Sequence, residues 1–288
     1  MNTWHHPLHA NQMLDLAAQP GDGFHLLICK GRATQVRVPC GWNSVSLALS
    51  GRLALASGAT LWELCQRQCQ VWIDGALQLS MRSPGWWLSV AAPAVLWQQL
   101  PGQCLAQVHG LLPREFTADR ELIRRIIQAV RQARPSDPAP PSKQTELIQL
   151  RTALHVRQQV LQERLQRCSG RTPLRRHQTL LRLLRVQHLI RHTTADRLDL
   201  NQLAASANYS PTHLIRAYRD VFDETPSEFA ARLRHLRAWE LVRTTRLSIS
   251  EISQSLGFES ESAFCRAFKH AFGLTTGEAR RLQPATAS

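Results

Sequence analysis

Two groups of side chains near the C-terminal end have the types and spacing needed to contact nucleic-acid bases. In each group, polar and charged residues recur on one face of a predicted helix. They are Thr212, Ile215, Arg216 and Arg219 in the first group, and Glu261, Ser262, Cys265, Arg266 and Lys269 in the second. Arginine binds guanine O6 and N7, glutamate accepts from cytosine N4, and aliphatic groups touch the thymine methyl. For one group alone, an ordinary solvated helix face is the better interpretation.

The two groups belong to an internal repeat. Residues 214–225 align with residues 264–275 at an offset of fifty, so that Arg216 meets Arg266. Two copies of one structural unit explain this similarity most simply. Because the copies match, we expect both faces to read DNA bases.

Each copy is predicted to contain a short helix, a tight turn and a second helix. Ser210 and Ser260 are N-cap residues for the second helices, and Pro211 occupies a first helical position. The inward apolar stripes are Leu214, Tyr218 and Phe222, then Phe264, Phe268 and Phe272. We expect Arg219 and Lys269, together with the capped starts at Ser210 and Ser260, to contact DNA phosphates.

The pattern over about 100 residues resembles the AraC/XylS family of bacterial transcription regulators. It includes Thr225-Pro-Ser-Glu-Phe229, Leu256-Gly-Phe258 and the run from Phe264 to Lys269. The resemblance implies two helix-turn-helix subdomains joined by a long helix, with helices 211–222 and 261–272 in successive major-groove segments. By alignment it assigns base reading to Thr212, Ile215, Arg216, Glu261, Ser262, Cys265 and Arg266. Departures from the family pattern are Asp223 in place of glycine, Thr276 in place of proline, and Ala279 in place of an aromatic residue.

The charge balance also favours a polyanionic partner. The 288 residues include 35 Lys and Arg against 21 Asp and Glu, a formal net charge of +14. The net charge is +2 for residues 1–110, +8 for 111–178 and +4 for 179–288. Charge alone does not separate DNA from RNA or anionic lipid, and a non-specific basic DNA-binding accessory protein is an alternative interpretation.

The first third of the chain is predicted to form β-strands. Short apolar runs in residues 20–109 are separated by glycine turns, including Asp74-Gly75 and Gly102, as in an antiparallel barrel or sandwich. Seven of the eight tryptophans lie in this part of the chain: Trp4, Trp42, Trp62, Trp72, Trp86, Trp87 and Trp97. They either line a cavity for a small effector or fill the core.

Residues 114–168 show helical periodicity, interrupted by a proline-rich segment at 134–142. Leu147, Leu154 and Leu161 are seven residues apart, as in a seam between two helices. This region is predicted to mediate dimerisation, with packing of the helix on its own barrel as the alternative.

Metal and thiol chemistry are weakly supported. The barrel region contains His25 and His109 but no His-x-His pair, so we expect no metal, no cofactor and no enzymatic activity. His5, His6 and His9 could chelate a metal, although a mobile terminus is the commoner explanation. Cys65 and Cys69 could bind a metal or form a bridge, and a metal- or thiol-responsive regulator is therefore a second alternative. Seven cysteines, including Cys104, form no disulfide framework.

Together these patterns predict an α+β chain of two domains. Residues 1–110 form an antiparallel β-barrel, cupin-like by architectural resemblance, that binds an effector; residues 111–173 form a helical linker; residues 174–288 form the double helix-turn-helix domain. The expected function is effector-responsive activation of transcription by a cytoplasmic, nucleoid-associated homodimer. Its expected partners are double-stranded DNA, RNA polymerase and a small effector, without a membrane. No apolar run approaches the roughly 20 residues of a membrane helix, and the start of the chain has no secretion signal.

Overall fold

Two β-sheets and eleven α-helices make up the described part of the chain. The computed structural model describes residues 1–73, 75–101, 110–132, 142–192 and 199–282. The chain divides into two compact units, Met1–Leu184 and Arg185–Ser288. The first unit holds both sheets, and the second holds the repeated helices.

Eleven strands form the two sheets. They are β1 (Asn2–Leu8), β2 (Met13–Asp15), β3 (Gly23–Lys30), β4 (Gln35–Val38), β5 (Trp42–Ser50), β6 (Leu53–Ser57), β7 (Thr60–Leu64), β8 (Gln68–Trp72), β9 (Leu77–Met81), β10 (Trp86–Pro93) and β11 (Arg114–Thr117). The first sheet has the order β1-β3-β10-β5-β8-β11, and the second has the order β2-β4-β9-β6-β7.

Alternating side chains place the first sheet between two apolar layers. In β3, Leu27 and Cys29 join the core shared with the second sheet. Leu26 and Ile28, which alternate with them, join a core formed with helices on the opposite face. This alternation follows from the two-residue period of a strand, which sends successive side chains to opposite faces. Because both faces are covered, β3 reads as a continuous apolar run rather than as alternating polar and apolar residues.

The two-domain α+β class is confirmed, and the strands form two mixed sheets where the sequence predicted a purely antiparallel barrel. β1 pairs with β3 in parallel, and β2 pairs with β4 in parallel, so both sheets are mixed. The prediction began the strands at residue 20 and therefore missed β1 and β2. Both are edge strands with largely exposed or half-buried side chains, and β1 contains Pro7, so their alternation is weak.

Most of the tryptophans fill the core. Trp62, Trp72, Trp87 and Trp97 are buried, whereas Trp4 and Trp86 are exposed. The Trp87 indole donates to Thr34 Oγ1 at 3.1 Å, and the Trp97 indole donates to the Asn43 carbonyl at 3.1 Å. These hydrogen bonds satisfy the indole N–H groups of Trp87 and Trp97. For these four residues the structure therefore supports core packing over a cavity lining.

Three helices contribute to the core on the outer face of the first sheet. They are α1 (Ala94–Gln99), α2 (Arg120–Val130) and α3 (Lys143–Arg157), and α4 (Gln159–Arg167) follows in the chain. The predicted helical periodicity from residue 114 is wrong at its start, because residues 114–117 form β11 and pair with β8. Arg114, Glu115, Phe116 and Thr117 complete the edge of the first sheet before the helices begin.

The predicted leucine seam is buried within the same chain. Leu147 and Leu154 are fully buried in the core formed with α2 and the first sheet, and Leu161 is 7% exposed. A side chain already covered by its own domain does not offer apolar surface to a second copy. The burial of Leu147 and Leu154 supports the alternative interpretation, a helix packed on its own β-domain, and dimerisation through this region stays a prediction.

The N-terminal histidines lie partly in a strand, and Cys65 and Cys69 differ in exposure. His5 and His6 lie in β1, so the predicted mobile terminus is wrong for them, and His6 Nε2 lies 2.9 Å from His25 Nδ1. Cys65 is exposed, whereas Cys69 is buried in β8, where burial raises the pKa of its thiol to about 12. Among the described residues, no group of three His, Cys, Asp or Glu side chains is arranged to hold a metal. Asp74, Gly102, Cys104, His109 and the prolines of segment 134–141 lie outside the described residues.

The remaining helices are α5 (Pro173–His192), α6 (Leu200–Ser206), α7 (Pro211–Phe222), α8 (Pro226–Thr244), α9 (Ile249–Ser255), α10 (Glu261–Phe272) and α11 (Thr276–Arg281). Within the described ranges, no helix combines the length and the apolar character that crossing a membrane requires.

Candidate DNA-binding site

The two repeats have the same short helix and turn. α6 and α9 each contain seven residues, and two residues after the end of each helix the chain has a residue with positive φ, Asn208 at 54° and Gly257 at 69°. After each turn, an amide bonds back to the short helix, from Tyr209 to Ala204 at 2.9 Å and from Phe258 to Ser253 at 3.0 Å. Asparagine and glycine adopt this left-handed conformation most readily, which explains why the turns form at these positions.

The turns differ in length by one residue. α7 begins three residues after Asn208, whereas α10 begins four residues after Gly257. The additional residue is Glu259, which is exposed. The short helices therefore repeat at an offset of 49 and the following helices at an offset of fifty.

Serine caps start both of the longer helices, as the sequence predicts. Ser210 Oγ accepts from the His213 amide at 3.3 Å, and Ser260 Oγ accepts from the Ala263 amide at 3.1 Å. Each hydroxyl accepts in its cap, so its proton remains available to donate. A DNA phosphate at the start of the helix would be a suitable acceptor.

The inner faces of α7 and α10 are anchored in separate cores. Leu214 and Tyr218 are fully buried, and the Tyr218 ring lies 4.6 Å from Phe222 and 6.2 Å from Phe229. Burial raises the pKa of the Tyr218 hydroxyl well above its ordinary value. This packing fixes the rotation of α7 about its axis and thereby determines which residues face outward.

The second core fixes α10 in the same way. Phe264 and Phe268 are each 1% exposed, and Trp239 of α8 stacks on Phe268 with 6.0 Å between ring centres. Ala279, where the family pattern has an aromatic residue, is fully buried in this core, and Thr276 is 9% exposed. The helix pair is thus closed on its inner side by α8 and α11.

Both long helices end in the same left-handed conformation. Asp223 has φ 63° and Gly273 has φ 70°, and their amides bond to the Arg219 and Lys269 carbonyls at 2.9 and 2.8 Å. Asp223 adopts the backbone conformation that glycine usually provides, as its tolerance of this region predicts. The departure from the family pattern therefore leaves the geometry of this turn unchanged.

A capping box follows each of these turns. Glu228 accepts from the Thr225 amide at 2.6 Å, and Glu278 accepts from the Thr275 amide at 2.7 Å. These backbone bonds, together with the threonine hydroxyls, lower the pKa of both carboxyls. Glu228 also lies 3.8 Å from Arg219. Arg219, which is predicted to contact a DNA phosphate, therefore has a negative charge beside it.

The outer face of α7 presents most of the predicted base-reading groups to solvent. Thr212 and Arg216 are exposed, and Ile215 is half-buried. Arg219 is exposed one turn after Ile215, near the C-terminal end of the helix. The four predicted residues lie together along one face.

On α10, three of the four predicted base-reading residues are exposed. These are Glu261, Ser262 and Arg266, and Lys269 is exposed beyond them. Cys265 is half-buried, packs against the core and has its Sγ 4.0 Å from Thr276 Oγ1. Cys265 therefore lies at the boundary between the outward face and the core.

One exposed residue at the start of α7 was not predicted. His213 follows Thr212, and its ring lies 4.4 Å from the ring of Tyr209 in the turn. The available signal was its position three residues after the Ser210 cap. The pattern of outward-facing residues did not include His213, because this residue lies between the outer and inner stripes of α7.

Comparisons with known proteins place the repeat in a family. A family model described as a helix-turn-helix domain matches residues 203–282. The Msm operon regulatory protein of Streptococcus mutans is 31% identical over 96 residues, which cover 33% of this chain and 34% of that protein. The HTH-type transcriptional regulator CdhR of Pseudomonas aeruginosa is 35% identical over 94 residues, covering 33% of this chain and 28% of that protein. The match thus spans about a third of these regulators or less, and the family model confirms a helix-turn-helix domain at the C-terminal end.

A solved structure from Chromobacterium violaceum is also similar. It is described as a transcriptional regulator among proteins that contain an AraC-type DNA-binding domain, and its sequence identity to this chain is 24%. The match covers 37% of this chain and 95% of that chain, with a TM-score of 0.34.

Proposed function

We propose that this chain, whose residues 203–282 form an AraC-type helix-turn-helix domain, is a sequence-specific DNA-binding transcription regulator. The observation that carries the proposal is the duplicated outer face. α7 and α10 each bury one apolar face and expose an arginine at the sixth helical position, Arg216 and Arg266. Matched chemistry on two matched helices is expected of a reader of two major-groove segments.

The proposed assignment of residues to base or phosphate contacts follows from the position of each side chain on its helix. Thr212, Ile215 and Arg216 of α7, with Glu261, Ser262, Cys265 and Arg266 of α10, contact base edges. Ser210, Arg219, Ser260 and Lys269 contact phosphates and hold the helices in register. Affinity then comes mainly from phosphate neutralisation, and specificity comes from the base contacts.

The other parts of the proposal concern the whole protein. The β-domain binds a small effector, the protein acts in the cytoplasm as a homodimer, and it activates transcription through RNA polymerase rather than catalysing a reaction. The names of the similar regulators, which span operon control and transcription regulation, support this class of function. Since Leu147 and Leu154 are fully buried, the proposed dimer would use residues other than these two leucines.

Selection of genome fragments by the purified full-length protein tests the proposal. The selection is run at about 150 mM salt, where non-specific binding is weak. We expect enrichment of an asymmetric site with two short blocks about one helical turn apart. Binding without any sequence enrichment would contradict the proposal and favour a basic accessory protein.

A parallel selection tests the effector. The small-molecule fraction of a cell extract is added to one of two matched samples. A change in the enriched site or in its occupancy supports effector binding. Identical selections with and without the fraction count against effector control.

A further inference from the structure

A long stretch of the chain carries positive charge that the proposed base and phosphate contacts do not use. Residues 164–192 contain eight arginines and no aspartate or glutamate. This stretch spans the end of α4, the connection to α5, and α5 itself. The net charge of this stretch from these residue types is therefore +8.

A pocket lies within this stretch, on the α5 side of the connection. Its volume is about 290 Å³. The residues that line it are Ser169, Gly170, Arg175, Gln178, Thr179 and Arg182. Arg175, Gln178 and Arg182 recur at about one-turn intervals, so that one face of α5 forms one wall. None of the lining residues is acidic or has a large apolar side chain.

The opposite wall is the loop before α5, and hydrogen bonds hold it in place. Thr179 Oγ1 donates to the Ser169 carbonyl at 3.2 Å, and Arg176 Nε donates to the Gly170 carbonyl at 3.0 Å. Gly170 has φ +148°, and a Cβ there would lie 2.9 Å from the Arg176 amide nitrogen. Only glycine therefore allows the loop to approach the helix this closely, and the pocket is formed before any ligand binds.

The lining has the chemistry of an oxyanion site. Two guanidinium groups, a carboxamide and the Ser169 hydroxyl supply several hydrogen-bond donors around one volume, whereas the Thr179 proton is already donated to the Ser169 carbonyl. Arginine pairs with phosphate-type oxygens through two parallel N–H bonds, which gives both strength and orientation. We infer that the pocket formed by Ser169, Gly170, Arg175, Gln178, Thr179 and Arg182 binds a phosphate-type oxyanion, supplied by a DNA backbone or by a free phosphorylated compound.

Titration of the full-length protein with inorganic phosphate at constant ionic strength tests the site. The test variant is Arg175→Gln with Arg182→Gln. The matched control is Arg167→Gln with Arg171→Gln, which removes the same charge from exposed positions outside the lining. Calorimetry should show phosphate binding that weakens about tenfold or more in the test variant, and less than about twofold in the control. Absence of phosphate binding by the unaltered protein, or equal weakening in both variants, would overturn the inference.

A variant that keeps every arginine separates the shape of the pocket from its charge. In Gly170→Ala, the added methyl group pushes the loop away from α5, so phosphate binding should fall while the net charge is unchanged. Circular dichroism checks that the variant remains folded. Phosphate affinity equal to that of the unaltered protein would show that the loop forms no part of a site and would contradict the inference.

The salt dependence of binding to random-sequence DNA identifies the source of the oxyanion. If the pocket holds DNA phosphates, the test variant should lower the slope of log K against log salt by about two relative to the control. An unchanged slope, with phosphate binding by the unaltered protein, assigns the pocket to a free phosphorylated compound. The phosphate titration contains no DNA, so its result stands whether or not the proposed regulatory function does.

Discussion

Arg216 and Arg266 occupy the same position on two matched helices, the sixth residue after each serine cap. Both are exposed, and each lies two residues after a buried side chain, Leu214 or Phe264, that anchors the helix in its core. An arginine in this setting is placed to bind one guanine through two hydrogen bonds. Lys269, which lies closer to the C-terminal end of α10, has a compact charge suited to phosphate.

Replacement of either arginine should therefore differ from replacement of the lysine. Arg216→Ala or Arg266→Ala should cost about 1–3 kcal/mol of binding free energy on the selected site and relax one base preference. Lys269→Ala should weaken binding to all sequences alike and lower the salt slope by about one. Fluorescence anisotropy with selected and scrambled duplexes measures both effects. Equal losses on both duplexes for all three variants would contradict these assignments.

Glu228 places a negative charge beside Arg219. Glu228→Gln keeps the capping box, since glutamine also accepts from the Thr225 amide, but it removes the counter-charge. We expect affinity for any DNA sequence to rise by about twofold, as for the loss of an exposed ion pair. Glu278→Gln is the matched control on the second repeat, where the structure records no ion pair within 4 Å between Glu278 and Lys269 in the described residues. An equal rise in both variants would assign the effect to net charge alone.

The sequence could predict most of this site because its signals are local. A serine cap, a left-handed turn residue and an apolar stripe each depend on a few neighbouring residues, and together they set the outward face. Cys265 shows where this reasoning ends. Its side chain packs towards Thr276, eleven residues later, and helical periodicity alone does not reveal that contact.

At the scale of elements, the left-handed turn after α10 is formed by a glycine, whereas Asp223 forms the same turn after α7. Gly273 has φ +70° and open space around the position of a Cβ. Gly273→Ala should destabilise the C-terminal unit by about 1–2 kcal/mol, through backbone conformation alone. Gly277→Ala, in α11 and also in open space, should be neutral or stabilising. Urea unfolding of both variants checks the difference, and an equal effect of the two would contradict the backbone explanation.

The edge strands explain why the first unit was predicted less well than the second. β1 and β11 each pair with one neighbour only, and their residues are mostly half-buried or exposed. Without two buried faces, such a strand lacks both the apolar run and the clean alternation that identify a strand. The leucine period in α3 was also ambiguous, because a seven-residue repeat specifies an apolar face but not which surface covers it.

A substitution in this leucine face separates the two interpretations. Leu154→Ala should destabilise the first unit by about 2–5 kcal/mol, because the side chain is fully buried in the core. It should leave the oligomeric state unchanged in analytical ultracentrifugation. Val160→Ala, at a 50% exposed position, is the control and should have little effect on stability. If Leu154→Ala dissociated an oligomer while the protein stayed folded, that result would support the interpretation of these leucines as a dimer contact.

At the scale of the whole molecule, the C-terminal unit should be more sensitive to acid than its exposed carboxylates suggest. Burial, with the positive charge of His192 and Arg191, lowers the pKa of His188 from 6.5 to about 3. The folded state then keeps His188 neutral while the unfolded state binds a proton below pH 6.5. Stability is therefore present above about pH 6.5 and is lost as the pH falls towards 3.

The expected loss at pH 5 is about 2 kcal/mol, from roughly 1.5 pH units below the ordinary histidine pKa. Trp239 lies in the C-terminal unit, and the other seven tryptophans lie in the first, so ¹⁹F NMR of 5-fluorotryptophan protein can follow this unit separately. His188→Gln should reduce the change in stability between pH 7 and pH 5, whereas His213→Gln, at an exposed position, should not. An unchanged pH dependence in His188→Gln would contradict the assignment.

The pairing of the strands also bears on the order in which the chain is made. The second sheet needs β9, which ends at Met81, and the first sheet needs β10 and then β11, which ends at Thr117, so the first sheet is complete only when residues near 117 have left the ribosome. The repeated helices need only neighbours within about fifty residues. Local contacts form faster than distant ones, and domains generally fold as units during synthesis, the N-terminal one first. The half made last should therefore acquire its structure quickly, while the half made first waits longest, with its strand edges exposed to chaperones.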